Sequence, residues 1–388
     1  MKKALILYGD STQALPIARS LKRHGFEVHA TISSRLSYGW SSRFIDKRHY
    51  IKDTHDVDSF YRFIIDLVKH IPFDIMVPMH DDSAKMMSKY REMLSPFVHY
   101  MMPDLETFER GFDKHRLMEV CQKKNYPHPE TILVEGGDLG TIDIERLHFP
   151  LLIKPNHTFG ARGMTYCSSK DELVEVFPKV YGAFGDCHLQ RFVPEGGNQV
   201  EVQLYVNEQQ ELVQSSVIKK FRWYPEKGGS SCCNISCKNE KIVDICYRLL
   251  KDIGWVGFAD FDTIEDPGSG ELLIMELNPR VPACVKSCFA SGIDWADVIA
   301  NEYEGHEHRK YEYKKDVFLR HLGFEVLWFF YSKNRWKTKP SWFKLIGRNI
   351  YYQDMSCWSD PLPFFTGTIG NMIKQLSPSF RAQKSGTR

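Results

Sequence analysis

Apolar residues along the first hundred positions follow two alternating patterns. Short runs dominated by apolar residues are typical of buried strands, and they occur at residues 4–8, 28–32, 75–79 and 98–102. Between these runs, apolar residues recur three and four positions apart, as on the buried face of a helix, over residues 15–21, 60–68 and 82–94. Strands that alternate with helices predict a parallel sheet covered on both faces, which places this part of the chain in the α/β class.

Ligands of such sheets bind beyond the carboxyl ends of the strands, where this sequence has two polar turns. The turn at residues 9–13 has a single glycine, so the G-x-G-x-x-G dinucleotide fingerprint is absent and an NAD-dependent enzyme is disfavoured. The other turn contains His80, Asp81 and Asp82. Asp81 is a candidate substrate ligand, with a purely structural role as the alternative, whereas Asp82 is predicted to cap the helix that follows.

An acidic hairpin is the most specific feature of the chain. Two apolar runs flank an Asp-Pro-Gly-Ser-Gly turn and are predicted to pair with each other. A register that is symmetric about Ser269 places Asp262 opposite Glu276. The same register places Asp260 opposite Asn278, and alternate residues of a strand share one face of the sheet.

This face of the hairpin predicts a metal site. Like charges that face each other across strands destabilise a sheet by up to ~1 kcal/mol per pair, so a cation between them would be stabilising. The oxygen donors of Asp262, Glu276 and Asn278 favour Mg²⁺, with Mn²⁺ as an alternative. A polar face that simply meets solvent is the other interpretation, and it is disfavoured because the two runs carry no lysine among the acids.

Three further segments offer groups suited to a nucleotide. Lys114 begins a predicted helix, where the helix dipole favours anions, so we expect this lysine to hold one. An apolar strand ends at Lys154, and the glycines of the following loop, residues 156–164, let backbone N–H groups approach a phosphate. Residues 190–194 lead from a strand into a glycine turn, whose backbone offers a donor and an acceptor to adenine. Taken singly, the three segments also fit, respectively, a solvated lysine, a hairpin connection and a plain strand.

In this order the segments resemble the ATP-grasp superfamily, and the run Glu276-Leu277-Asn278-Pro279-Arg280 is the most specific part of the resemblance. Within the superfamily the chain is similar to the predicted carboligases, a carboxylate–amine ligase group related to D-aspartate ligase and to the large subunit of carbamoyl-phosphate synthase. The resemblance implies an α/β and α+β architecture. It comprises a Rossmann-like pre-ATP-grasp domain at 1–108, a two-lobed ATP-grasp domain at 109–305, and a C-terminal extension with a disordered tail at 306–388.

The resemblance also implies a role for each candidate residue. The phosphates of ATP would be held by Lys114, Lys154, Gly160, Arg162 and Gly163. Adenine and ribose would be bound by Gln190, Arg191, Phe192, Val193 and Glu201, although Arg191 stands where the family often has an acid. Mg²⁺ would be held by Asp262, Glu276 and Asn278, and catalysis would depend on Lys154 and Arg280. The candidate substrate ligands are Asp81, Arg222 and Gly229.

The implied reaction is the ligation of a carboxylate to an amine or a thiol through an acyl phosphate. Arg222 and Gly229 lie in a predicted mobile substrate loop, residues 221–231, for which a surface hairpin is the alternative. A regulatory protein that binds ATP without turning it over is the rival function. It is disfavoured because a protein that only binds nucleotide needs fewer of these groups.

Composition indicates which kinds of partner and which cellular compartment to expect. The 51 Lys and Arg residues nearly balance the 49 Asp and Glu residues, which argues against a nucleic-acid partner and leaves small-molecule substrates. No apolar stretch approaches the roughly 18–20 residues of a membrane span, and the ten cysteines show no C-x-x-C spacing, so we expect a cytoplasmic protein with reduced thiols. A homodimer is compatible with the sequence. The basic and aromatic residues after position 306 are expected to pack as core, with contact to a membrane surface as the alternative.

Overall fold

The computed structural model describes residues 1–51, 56–156, 163–226, 230–307, 309, 311–355 and 357–376. Three sheets organise these residues. The N-terminal sheet contains the first strands of the chain, the small sheet contains strands from the middle, and the large sheet contains strands from the middle and the C-terminal part.

The N-terminal sheet is parallel, as the alternation of strands and helices predicts. Its strands are β1 (Lys3–Leu7), β2 (Glu27–Ile32), β3 (Lys47–Tyr50) and β4 (Ile75–Pro78), in the order β3-β2-β1-β4. The helices that accompany it are α1 (Ala14–Arg23), α2 (Val57–His70), α3 (Asp81–Lys89) and α4 (Arg91–Leu94). Parallel pairing of β1 with both β2 and β4 brings the carboxyl ends of these strands together at one edge.

Some local predictions in this region are wrong. The segment 98–102 is not a strand, because only His99 forms an isolated bridge, with Ile75. The predicted helix at 82–94 is divided at Tyr90 into α3 and α4. The N-cap of α3 is His80, whose side chain accepts the backbone N–H of Asp82, so Asp82 lies within the helix and does not cap it. Strand β3 was not predicted, because its side chains are polar and it lies at the sheet edge.

The small sheet is antiparallel. Its strands are β5 (Thr131–Leu133), β6 (Leu151–Pro155), β7 (Thr165–Cys167) and β8 (Cys187–Arg191), in the order β5-β8-β6-β7. Short 3₁₀ turns follow β5 at Glu135–Gly137, Leu139–Thr141 and Ile144–Arg146. Helix α7 (Lys170–Phe184) buries Leu173, Phe177 and Val180 in the core of this lobe. Helices α5 (Leu105–Phe112) and α6 (Lys114–Lys124) precede the sheet, and the predicted domain boundary after residue 108 falls within α5.

The large sheet forms one wall of the candidate active site. Its strands are β9 (Gln199–Val206), β10 (Leu212–Tyr224), β11 (Ser230–Cys237), β12 (Gly257–Glu265), β13 (Leu272–Asn278), β14 (Phe318–Arg320) and β15 (Ile350–Tyr352). Their order is β13-β12-β9-β10-β11-β14-β15. The helices of this region are α8 (Glu240–Ile253), α9 (Lys286–Ser291), α10 (Trp295–Glu304), α11 (Leu322–Tyr331) and α12 (Leu362–Leu376).

The C-terminal extension contributes to the large sheet directly. Strand β14 pairs antiparallel with β11, and β15 pairs parallel with β14. Trp328 of α11 is buried, in line with the expectation that the aromatic residues pack as core, but Trp336 and Trp358 are exposed. The tail predicted to be disordered, residues 377–388, lies outside the described residues.

A shared apolar core fixes the N-terminal sheet against the large sheet. Leu5 and Phe60 belong to the same buried cluster as Trp255 and Phe261, and the rings of Phe108 and Trp255 stack with centroids 6.2 Å apart. This packing brings the carboxyl ends of β1 and β4 close to β12 and β13. In the described part of the chain, no helix is long and apolar enough to cross a membrane.

Candidate active site

The β12–β13 hairpin has the predicted register where the acids lie. Asp262 pairs with Glu276, and Asp260 pairs with Asn278. Beyond Asp262 the symmetric register ends, because an irregularity shifts the pairing so that Thr263 faces Ile274. The four polar side chains therefore share one face of the hairpin, as expected from the turn alone.

Strand β9 extends this polar face on the other side of β12. Glu201 pairs with Asp262, and Gln203 pairs with Asp260. The result is two rows across three strands, which we call the acidic face. One row consists of Glu201, Asp262 and Glu276, and the other consists of Gln203, Asp260 and Asn278.

A lysine from β10 lies among these acids, contrary to the expectation of a face without lysines. The Nζ of Lys220 hydrogen-bonds Asp262 Oδ1 and lies 3.1 Å from Glu201 Oε2. The sequence of the hairpin gives no sign of this contact, because Lys220 comes from a different part of the chain. Lys220 therefore supplies part of the positive charge that stabilises the acidic face.

The pKa shifts of the acidic face reflect burial and mutual repulsion. Burial raises the pKa of Asp262 to about 6 against the opposing effect of Lys220, and the Glu276 and Glu201 carboxylates add to the rise. Burial and the same kind of repulsion, from Glu201 and Asp262, hold the pKa of Asp260 well above its usual range. Burial acts to raise the pKa of Glu276 as well, but Lys114 and Lys154 outweigh it and the pKa is lowered. The face therefore carries more carboxylates than its lysines neutralise.

The donor set of the acidic face fits Mg²⁺. All of its potential ligand atoms are oxygens, and Asp260 Oδ1 is buried without a hydrogen-bond partner among the described residues. No three His, Cys, Asp or Glu side chains of the described residues converge to form a metal cage on their own. Mg²⁺ is commonly held by one or two carboxylates together with phosphate oxygens and water, which is the arrangement this face permits.

Lys154 projects from the end of β6 on the opposite, small-sheet side. It is buried, and its Nζ donates to Gln190 Oε1 at 2.9 Å. The Gln190 side-chain amide in turn donates to Thr131 Oγ1 at 3.0 Å. Gln190 is buried between Lys154 and Thr131, and its expected place beside the adenine amino group stays a prediction.

Lys114 is the first residue of α6, whose N-cap is Asp113. Its Nζ lies 3.5 Å from Glu276 Oε2, so a lysine near the positive end of a helix has a carboxylate partner. Lys114 and Lys154 both lower the pKa of Glu276, which means that both cations lie near this carboxylate. The predicted phosphate-binding lysines therefore meet the predicted metal ligands.

The backbone at 191–193 only partly matches its predicted role. The N–H of Arg191 donates to Glu130 O at 2.8 Å, and the N–H of Phe192 donates to Pro150 O at 3.1 Å. These donors are used inside the chain, so the predicted adenine contact is left to Val193 and to backbone carbonyl groups. The Arg191 side chain lies 2.6 Å from Asp266 Oδ2 and so joins the small sheet to the β12–β13 turn.

Arg280 connects the acidic face to the N-terminal sheet. Its Nε lies 3.0 Å from Asp81 Oδ1, and its Nη2 donates to Asn278 Oδ1 at 3.4 Å. Asp81 and other neighbouring acids raise the pKa of Arg280, although burial opposes them. The guanidinium is thus charged and held at the point where strand ends of both sheets meet.

Two predicted ligands have different partners in the structure. Arg222 is buried, and its guanidinium donates to Glu325 Oε1 at 2.8 and 3.0 Å and to Pro340 O at 2.6 Å, so the expected grip on a substrate carboxylate is replaced by a contact within the chain. Glu201 accepts hydrogen bonds from Gln203 and from the Cys284 thiol, both at 2.7 Å. These contacts place it on the acidic face, and its contact with ribose stays a prediction.

The remaining predictions concern glycine loops. Gly160, Arg162 and Gly229 lie outside the described residues. Gly163 has a positive φ of 73°, and a Cβ at this position would lie 2.8 Å from the Phe184 ring. The glycine is therefore required both by backbone conformation and by space. Much of the predicted substrate loop is strand: residues 221–224 belong to β10 and residues 230–231 belong to β11, and the two strands pair antiparallel.

One large cavity gathers most of the candidate residues. Its volume is about 1670 Å³, whereas pockets for single small ligands span about 300–1,000 Å³, so it has room for a nucleotide and further substrates. The predicted residues that line it are Asp81, Lys114, Lys154, Arg191, Phe192, Val193, Glu201, Arg222, Asp262, Glu276, Asn278 and Arg280. Lining residues that sequence reasoning missed include Lys220, Cys284 and Gln353.

Most of the candidate residues lie in a segment that matches one protein family. Residues 113–303 match the family described as carbamoyl-phosphate synthase L chain, ATP binding domain. A D-aspartate ligase from Enterococcus faecium (strain Aus0004) is 24% identical over 222 residues. That alignment covers 53% of this chain and 53% of the ligase, so the chain matches about half the length of this relative.

Solved structures share the fold at low sequence identity. The biotin carboxylase domain of Hydrogenobacter thermophilus 2-oxoglutarate carboxylase, a dimer in complex with MgADP, ADP and bicarbonate, aligns with a TM-score of 0.68 and 17% identity over 82% of this chain and 73% of that one. An L-amino acid ligase from Bacillus licheniformis aligns with a TM-score of 0.60 and 16% identity over 78% of this chain and 74% of that one.

Proposed function

Because the chain belongs to the ATP-grasp superfamily, we propose that it is an ATP-dependent ligase that activates a carboxylate and joins it to an amine. The observation that carries the proposal is the shared face of Asp262, Glu276 and Asn278, set against Lys114 and Lys154 in a single cavity. A surface that presents oxygen ligands on one side and lysines on the other suits the polyphosphate of a nucleotide.

The chain's own residues orient the nucleotide in this proposal. Lys154, held by Gln190, and Lys114, held near Glu276, contact the phosphate oxygens. Asp262, Glu276 and Asn278 would hold Mg²⁺, which would neutralise part of the negative charge of the terminal phosphates. The adenine lies toward Val193, beyond the end of β8. The lysines stay in place through bonds to neighbouring side chains, so little reorganisation accompanies binding.

The proposed reaction has two steps. A carboxylate oxygen of the first substrate attacks the γ-phosphorus of ATP, the bond to the bridging oxygen breaks, and ADP and an acyl phosphate form. The amine of the second substrate then attacks the acyl carbon, phosphate leaves with the C–O bonding pair, and the ammonium proton passes to solvent.

Arg280 is the residue best placed to assist the first step. Two like unit charges 4 Å apart repel by about 4 kcal/mol at an effective dielectric constant of 20, so a carboxylate approaches the γ-phosphate only if cations lie nearby. The Arg280 guanidinium lies between Asn278 of the acidic face and Asp81 of the N-terminal domain. A substrate carboxylate that enters from the N-terminal side therefore meets Arg280 beside the phosphates.

The relatives support an amino acid as one substrate. The D-aspartate ligase and the L-amino acid ligase are both named for amino acids, and this chain resembles the first in sequence and the second in fold. Asp81 lies beside Arg280 at the cavity wall and would orient the ammonium group of such a substrate. A thiol as the nucleophile is the alternative that substrate screening distinguishes.

Formation of ADP tests the proposed function. Pools of carboxylates and amines are supplied with MgATP, ADP is measured, and products are identified by mass spectrometry. We expect Glu276→Gln and Lys154→Met to lower turnover by about tenfold or more, since a loss of about 1.4 kcal/mol of transition-state stabilisation is sufficient.

Glu271→Gln provides the matched control, because Glu271 is an exposed acid at the turn end of the same hairpin. The control is expected to retain wild-type turnover. Full activity in the Glu276 and Lys154 variants would contradict the assigned roles. Binding of ATP without release of ADP, under every substrate pool, would favour the regulatory alternative.

A further inference from the structure

Large apolar side chains are exposed along two elements of the C-terminal extension. The first group, which we call the aromatic rim, consists of Phe330, Tyr331, Trp336, Phe343 and Ile346. The second group, which we call the α12 stripe, consists of Leu362, Phe365, Ile369, Met372 and Ile373. Soluble monomers rarely expose such contiguous apolar groups without an interaction partner.

Three aromatic rings of the aromatic rim form one cluster with Phe329. Phe329 contacts the rings of Phe330, Trp336 and Phe343, with centroid distances of 6.1, 5.3 and 5.8 Å. Trp336 and Phe343 stack on each other. Even so, Trp336 remains 72% exposed and Ile346 remains 93% exposed, so the cluster presents its outer side to the surroundings.

The α12 stripe points away from the protein because the other side of α12 is packed. Thr366 hydrogen-bonds Ser41, and Asn371 hydrogen-bonds Tyr38. A Cβ at Gly370 would lie only 1.8 Å from the Leu36 carbonyl oxygen, so the helix approaches the N-terminal domain closely here. The stripe residues recur three, four and one positions apart, which puts them on the opposite, outward side.

Both surfaces border the same cavity. Asn334 and Lys337, from the segment of the aromatic rim, line the candidate active site, as do Asn371 and Lys374 of α12. The two groups of exposed apolar residues therefore flank the opening of the site.

The charge of this region identifies the kind of partner. Residues 326–353 contain six basic residues, which are Lys333, Arg335, Lys337, Lys339, Lys344 and Arg348, and no acidic residue. Residues 361–376 contain one more basic residue, Lys374, and no acidic one, while the whole chain has a net charge of only +2. Two copies of this chain would bring these basic groups against each other, whereas an anionic bilayer would attract them.

We propose that the aromatic rim and the α12 stripe dock the protein on an anionic membrane surface. Aromatic and aliphatic side chains enter the interfacial layer of the bilayer, and the surrounding Lys and Arg residues contact lipid phosphates. No spanning segment is needed for this type of attachment.

Vesicle sedimentation of the full chain tests the proposal. Vesicles of phosphatidylcholine are compared with vesicles that contain equal parts of phosphatidylcholine and phosphatidylglycerol. We expect the partition coefficient to be higher on the anionic vesicles by about tenfold or more, and to fall as salt is added. Failure of the wild-type chain to sediment with anionic vesicles would overturn the proposal.

Two variants locate the surface. Trp336→Ser with Ile346→Ser removes apolar contacts, and Lys333→Gln with Lys339→Gln and Arg348→Gln removes charge; each is expected to lower binding by about tenfold or more. The matched control replaces Met93 and Val174, which are 57% and 49% exposed elsewhere, with serine.

The control is expected to bind like the wild type. Equal loss of binding in the control would overturn the assignment to this surface. Self-association that the Trp336 and Ile346 changes abolish, without binding to vesicles, would also overturn it, because the surface would then be an interface between copies of the chain.

Discussion

Lys220 separates two carboxylates that the sheet register brings together. Its ammonium group contacts both Glu201 and Asp262, which come from neighbouring strands. The acidic face is buried enough that the pKa of Lys220 is held well above its usual range by these two partners, although burial alone would lower it. Lys220 therefore neutralises part of the negative charge that the sequence pattern assigned entirely to a metal ion.

Replacing Lys220 with methionine should destabilise the protein, because the Glu201 and Asp262 carboxylates would then repel each other. We expect Lys220→Met to lower the free energy of unfolding by about 3 kcal/mol, because removal of one partner leaves buried charges without compensation. Mg²⁺ should then raise the melting temperature of the variant more than that of the wild type. Thermal unfolding in a chelator and in Mg²⁺ measures both effects.

Lys219→Met is the control for this change, since Lys219 directly precedes Lys220 and successive residues of a strand point to opposite faces. It should cost little stability and leave the response to Mg²⁺ unchanged. Similar losses in both variants would mean that the position of Lys220 among the acids is unimportant.

The residues of the acidic face show where sequence reasoning succeeds. Asp262 and Glu276 were paired correctly because a tight turn joins their strands and fixes the register locally. Lys220 was missed because it is 42 residues from Asp262, and no turn relates their strands directly. The partners of Gln190 and Glu201 were not foreseen, because they depend on neighbours that a linear pattern does not specify.

At the scale of elements, a buried ionic network ties three segments together. Glu325 of α11 accepts from Arg222 of β10 and from Arg320 of β14, at distances of 2.8 Å in each case. Both arginines and the glutamate are almost fully buried. The network fixes the C-terminal extension to the edge of the large sheet.

Glu325→Ala should destabilise the protein strongly. It leaves two buried guanidinium groups without their carboxylate, which typically costs about 3–5 kcal/mol. Urea unfolding measures the change. Asp244→Ala is the comparison, because it breaks an exposed pair with Arg248 that is worth about 0–1 kcal/mol. Equal effects in the two variants would show that the network contributes no more than a surface pair.

The elements themselves were predicted unevenly for a physical reason. The parallel sheet was found because β1 and β4 are mostly apolar, and β2 has the apolar residues Val28, Ala30 and Ile32 at alternate positions. Strands β14 and β15 were not found, because each is short and sits in a region whose aromatic residues obscure any alternation. The extension was consequently treated as an appendage, whereas it supplies edge strands.

At the scale of the whole molecule, the cavity depends on segments from every part of the chain. Helix α3 of the N-terminal domain contributes Asp81, the small sheet contributes Lys154, the large sheet contributes the acidic face, and the extension contributes Gln353. Gln353 donates to Thr12 Oγ1 and to Ala283 O, at 3.1 and 2.7 Å, so the extension also fastens the N-terminal domain to the segment after β13.

A chain that ends at residue 305 tests this dependence. It retains the predicted ATP-grasp domain but loses β14, so the edge of β11 is left unpaired and Arg222 loses its carboxylate. Open sheet edges promote association between chains, so we expect little soluble monomer by gel filtration and reduced secondary structure by circular dichroism.

A chain that ends at residue 355 is the control, because it keeps β14, α11 and β15 and should fold. Its melting temperature should be lower than that of the full chain, because it lacks the hydrogen bonds from Ser42 and Arg43 to Asp360. Supplying residues 306–388 as a separate peptide should recover part of the soluble 1–305 chain, since the partner strand is then restored. A soluble 1–305 chain with wild-type thermal stability would mean that the extension is an independent attachment, and that the cavity does not depend on it.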